Sequence, residues 1–180
     1  FTATGTDTKI EFKSLEADEN AVLLDTVRVE EVAPANLYAI FSELENLARD
    51  PMKFNYAPYA TKEEQVLFSG FEDAPVGYAK LDDEIDGWTV INEQVRVSQS
   101  AKAHSGGNYA TLSRNKNTED DETGGAITRD LPTAVGQDYR LSFVTHAGGD
   151  DVEYVLGGVI TNAVEGMITL TNSIPASSQW

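Results

Sequence analysis

The sequence contains no cysteine, which excludes a disulfide framework, thiol chemistry and any cysteine zinc site. Basic residues are also scarce: thirteen Lys and Arg face thirty Asp and Glu, for a formal charge of -17. A surface of that sign repels phosphate backbones and anionic lipid, so nucleic acid is not an expected partner. No apolar run reaches the roughly 18 residues of a bilayer span, and no transmembrane helix is expected. His104 and His146 are the only imidazoles, and no G-x-S-x-G elbow, P-loop, dinucleotide fingerprint or H-E-x-x-H motif occurs. Catalysis is therefore not expected, although thirty acids always leave room for a carboxylate pair of the glycosidase type. The start at Phe1, without methionine or signal peptide, reads as a processed or excised piece.

What the chain does have is apolar content, 41% of 180 residues, enough for one well-buried core. Lys9-Ile10-Glu11-Phe12 alternates with the period of a half-buried strand, and Leu23, Asp25, Val27 and Val29 share one face in the same way. Trp88 to Val97, Tyr109 to Leu112, Tyr139 to Val144, Val152 to Leu156 and Gly166 to Thr171 are rich in aromatic and β-branched residues. Glycine-rich turns such as Ser105-Gly106-Gly107-Asn108 and Gly148-Gly149-Asp150 separate them. Many short strands with regular turns predict an all-β sandwich of two antiparallel sheets. One segment departs from this rhythm. From Ala35 to Arg49, Leu37, Ile40, Phe41, Leu44 and Leu47 fall at helical spacing between Pro34 and Pro51, which predicts one inserted amphipathic helix.

The order of motifs resembles the galactose-binding-like jelly rolls of carbohydrate-binding modules and tandem bacterial cell-surface repeats. Leu67-Phe68-Ser69-Gly70-Phe71-Glu72-Asp73 is similar to the opening "N-G-x-F-E" strand, and Asp86-Gly87-Trp88-Thr89-Val90 to the "G-W-x-V" that follows. Ala103 to Leu112 is similar to "A-x-x-G-x-x-x-L-x-L", and Gly124 to Phe143 to the "G-G-I-x-Q-x-L … G-x-x-Y-x-L-S-F" core. The family's closing piece stands at the front here, as Phe1-Thr2-Ala3-Thr4-Gly5, Lys9 to Phe12 and Ala21 to Val29, while Trp180 ends the chain. The expected organisation is thus closing strands in 1–32, a helical connector in 33–65 and the main jelly-roll body in 66–180. Those closing strands complete either the chain's own sandwich, as in a circular permutant, or that of a neighbouring copy. A neighbour-completed sandwich builds an open, head-to-tail fibre. Phe1, Phe12, Leu37, Phe41, Leu44 and Trp180 are the expected assembly contacts.

The resemblance further implies an extracellular or cell-surface location and a structural calcium ion near the first and last strands. The matching acids are Glu72 and Asp25, with Asp73 beside them. Spacing alone offers a second calcium candidate, because Asp82, Glu84, Asp86, Gly87 and Glu93 follow the EF-hand register. Polysaccharide recognition needs an aromatic platform flanked by polar groups, for which Trp88, His104, Asn108 and Tyr109 are the candidates. The resulting expectation is a structural or adhesive subunit that associates with copies of itself. A carbohydrate-binding module is the alternative, and a glycan-processing enzyme a distant third.

Overall fold

The computed structural model describes residues 1–15, 21–32, 64–92, 94–101, 103–113, 124–147 and 152–174. All regular structure among them is strand: β1 (Thr2–Ala3), β2 (Asp7–Ser14), β3 (Val22–Val32), β4 (Glu64–Ser69), β5 (Gly77–Ala79), β6 (Glu84–Ile85) and β7 (Trp88–Asn92). There follow β8 (Val95–Gln99), β9 (Asn108–Leu112), β10 (Ala126–Pro132), β11 (Asp138–Ala147), β12 (Val152–Thr161), β13 (Ala163–Val164) and β14 (Met167–Ile174). They form two antiparallel sheets. One runs β13-β1-β11-β3-β9-β8-β5, with β4 also paired to β3, and the other runs β14-β12-β2-β10-β7-β6. The described residues therefore form an all-β sandwich. The helix expected over 35–49, with Leu37, Phe41 and Leu44, lies outside the described residues, as does Trp180. Glu64 and Gln65, placed at the end of the connector by the sequence, already belong to β4.

The front strands sit in the middle of both layers. In β2, Thr8, Ile10, Phe12 and Ser14 are buried in strict alternation with more exposed residues, as the sequence pattern requires. This strand lies between β10, with Phe12 opposite Ile127, and β12, with Ile10 opposite Ile160. Strand β3 lies between β11 on one side and β4 and β9 on the other. Thus 1–32 supply a central strand to each sheet and pair within the same chain. Phe12 is fully buried against Trp88, with ring centroids 5.6 Å apart, and meets Phe143 of the opposite sheet edge-on at 5.0 Å. It is a core residue and not the assembly contact expected of it. Phe1 stacks on Tyr139 at 5.4 Å.

Two strand readings need correction. The stretch Trp88 to Val97 is not one strand: β7 joins one sheet and β8 the other. The break is at Gln94, whose φ of 80° takes the chain out of extended geometry between the layers. The carbonyl of Gln94 then accepts the Ser113 N–H (3.0 Å), which anchors the crossing. In β3 the buried face also changes parity. Val22 and Leu24 point inward before Asp25, and Val27 and Val29 after it, so Leu23 is not on the buried face. Thr26 has φ 52°, and the β11 register shifts between Ser142 and Val144, the signature of a bulge.

Candidate functional site

That bulge turns Asp25 inward, where the residue has no exposed surface. A buried carboxylate needs donors, and a single loop provides most of them. The Ser105 N–H donates to Asp25 Oδ2 (2.9 Å) and the Ser105 hydroxyl to Oδ1 (3.3 Å), while the Thr26 N–H donates to Oδ1 (2.6 Å). The Thr26 hydroxyl in turn donates to the Ser105 hydroxyl (2.9 Å). A second acid holds the other end of the same loop. Glu72 Oε1 accepts the N–H groups of Gly107 and Asn108, both at 2.9 Å. Gly106 lies beneath this carboxylate with φ 61°; a Cβ there would collide with the Glu72 carboxylate. Glycine suits this left-handed position, where a side chain would make the Glu72 carboxylate shift.

Phe71 aims Glu72 at the loop. It is fully buried with φ 60°, an outlier for a bulky residue. Its N–H donates to Asp86 Oδ2 (2.9 Å), which also accepts the Ser69 hydroxyl (2.6 Å), and its carbonyl accepts the Asn108 side-chain N–H (3.2 Å). Asn108 donates to the Glu72 carbonyl as well (3.3 Å). The other side-chain atom of this amide, Asn108 Oδ1, is buried without a partner. Leaving such a group unpaired costs about 1–3 kcal/mol, so the junction contains an oxygen suited to a cation or a water donor.

The structure thus brings together Asp25 and Glu72 from the metal candidates and Asn108 and His104 from the carbohydrate candidates. His104 is exposed, with its Nδ1 3.0 Å from the Thr26 hydroxyl. Asp73 is exposed in the turn after Glu72. Two carboxylates meet at this loop; no cluster of three or more metal-ligating His, Asp or Glu residues occurs among the described residues. Trp88 and Asn108 are withdrawn from the surface, at 0% and 5% exposure, so neither offers a face to a sugar ring; Tyr109 is half-buried. The EF-hand reading also fails on geometry. Asp86 and Gly87 form the two-residue turn of the β6–β7 hairpin, both with positive φ and flanked by the Ile85–Trp88 pair. Asp86 is committed to Ser69 and Phe71, its carbonyl accepts Arg129 Nη1 (2.8 Å), and Glu93 lies outside the described residues.

Sequence reasoning did not identify Ser105 or Thr26, which satisfy most of the buried acid. Asp25 within a run of apolar residues was the available signal, because a charge in a buried strand implies donors nearby. No family model, curated protein or solved structure matches the chain.

Proposed function

We propose that the chain is a non-catalytic structural or adhesive module of an extracellular fibre or surface protein. In this reading its sandwich is a galactose-binding-like jelly roll whose motif order is permuted and which joins copies of itself through one sheet edge. The observation that carries it is β14. Eight residues long, MITLTNSI has no charged residue, in a chain where charged residues make up 24%. Among the described residues it pairs only with β12, whereas the strands ending the sheet paths elsewhere, β13, β5 and β6, have two or three residues. Met167 is 78% exposed, and its cross-strand partner Val159 is 44% exposed. Natural edge strands are normally short, charged or interrupted, because open backbone groups template pairing with another chain. An uncharged edge also lets two strongly acidic copies approach where their repulsion is least. Light scattering over a concentration series is expected to show reversible association. Met167→Lys combined with Thr169→Lys is expected to abolish it while leaving unfolding stability within about 0.5 kcal/mol. A wild-type protein that stays monomeric at every concentration would sink the proposal.

The junction at the Ser105–Asn108 loop also supports a structural calcium ion. Asp25, Glu72 and Asn108 Oδ1 would hold it, an all-oxygen set of the kind calcium takes, with remaining positions left to carbonyls and water. Bound to the folded state alone, the ion would add stability by mass action. Calcium is then expected to raise the melting temperature and chelator to reverse the rise; superimposable melts would count against the ion.

A further inference from the structure

Pairing through β14 does not by itself build a fibre. Where β14 meets its counterpart antiparallel, the contact is two-fold symmetric and closes at a dimer, so growth needs a second contact with two different halves. The outer face of the sheet that contains β3 has the character of one half. Register sets Tyr78, Arg96, Thr111, Leu23 and His146 side by side across five strands of that face, with Phe68, Arg28 and Ser142 in a second row. Arg140 lies on the same face of β11, opposite Glu30. The strands of this sheet contain three arginines and no lysine, whereas β2 of the other sheet has two lysines. Against the three arginines this face sets two carboxylates, Glu30 and Asp138, so it is net positive in a chain of charge -17. Arginine and aromatic residues are what protein interfaces enrich, and lysine is what they exclude.

The rings here are open to solvent. Tyr78 is 75% exposed with the Arg96 guanidinium 5.3 Å from its centroid, and Phe68 is 45% exposed with that of Arg28 at 5.6 Å. A guanidinium over a ring keeps N–H groups for a planar carboxylate. That of Arg28 is only loosely paired, with Glu30 at 3.8 Å and its buried Nε without a partner. The complementary shape occurs on the same chain, at the turn between β5 and β6. Residues 80–83 are all exposed, Leu81 at 52%, and Asp82 and Asp83 outnumber Lys80. The turn is tied on itself. The Asp83 N–H donates to the Lys80 carbonyl (3.0 Å), the Lys80 N–H to Asp83 Oδ2 (2.8 Å) and the Asp82 N–H to the Val90 carbonyl (2.9 Å). A projection held in this way meets a partner with little ordering cost.

We infer that the β5–β6 turn of one copy docks on the outer face of the β3 sheet of a second copy, with Leu81 against the exposed rings and Asp82 against the arginines. The inference rests on the reading of the chain as a self-associating module and adds the contact that extends dimers into a fibre. Each copy carries one turn and one face, so the contact is heterologous and open. Between two single copies it works against the repulsion of two strongly acidic bodies. A β14-paired dimer presents two turns and two faces, and that multiplicity carries the contact.

Sedimentation velocity of the full chain over concentration and salt series tests this. The wild type is expected to form dimers and then larger species, which fall back to dimers as salt is raised. Arg28→Gln with Arg96→Gln is expected to stop at the dimer, and so is Leu81→Ala with Asp82→Asn, each with an unchanged melting temperature. An equal mixture of the two double variants is expected to resume growth, because the intact turn of the first fits the intact face of the second. A wild type that stops at the dimer would overturn this inference and leave pairing through β14 standing, whereas one that stays monomeric would overturn both. Growth that persists in either double variant, a mixture that stays dimeric, or growth of the wild type only on addition of an acidic polymer such as polyglutamate would each overturn it as well.

Discussion

Trp88→Ala is expected to cost about 3–5 kcal/mol of folding stability, a large part of what a domain of this size has to lose. The indole is fully buried in β7 and packs on Phe12, which in turn touches Phe143 across the layers. Truncation therefore opens a cavity where the two sheets meet, and strands hydrogen-bonded on both sides cannot collapse into it. Trp88 Nε1 has no acceptor, so the loss is one of packing and not of hydrogen bonding. Trp88→Phe retains most of the ring volume and is expected to lose much less. Urea unfolding of the three proteins checks both statements; equal losses for Ala and Phe would contradict the packing argument.

Asp25→Ala is expected to lose about 2–4 kcal/mol, although no ion pair is broken. The buried carboxylate takes three donors, from Thr26 and Ser105, and removing it strands their N–H and hydroxyl groups in a region without exposed surface at Asp25 itself. Asp25→Asn keeps the size but puts an amide N–H where an acceptor is needed, so it is expected to recover only part of the loss. Hydrogen exchange should show the defect locally. The amides of Ser105, Gly107 and Asn108 lose protection first, while those of β10 retain theirs. Uniform loss of protection across both sheets would show that Asp25 supports the whole fold and does not act chiefly on this loop.

The sandwich was legible because its signal is local. Alternation in β2 and the turn glycines fix strand positions and faces with no knowledge of partners. What escaped is what depends on one residue's backbone angle. Gln94 at φ 80° divides one apparent strand between two sheets, and Thr26 at φ 52° reverses the parity of β3; neither residue type announces such a conformation. Glu72 and Asp25 were found as a pair through motif resemblance, but their shared loop, through Ser105, became visible only in three dimensions. Trp88 is a candidate platform by sequence and a core residue by structure, because the same residue type serves both and burial alone separates them.

That the first 32 residues close the chain's own sandwich is tested most directly with the residue the protein lacks. Lys9 and Asp130 are cross-strand partners on the exposed face of β2 and β10, with their side chains already 3.9 Å apart. Lys9→Cys with Asp130→Cys adds two thiols to a cysteine-free chain, within the reach of a disulfide. Oxidised at low concentration and resolved by non-reducing mass spectrometry, the double variant is expected to form the bond within one chain, giving a monomeric mass. Cross-linked dimers formed in place of that monomer, or thiols that remain free, would show that these strands pair elsewhere.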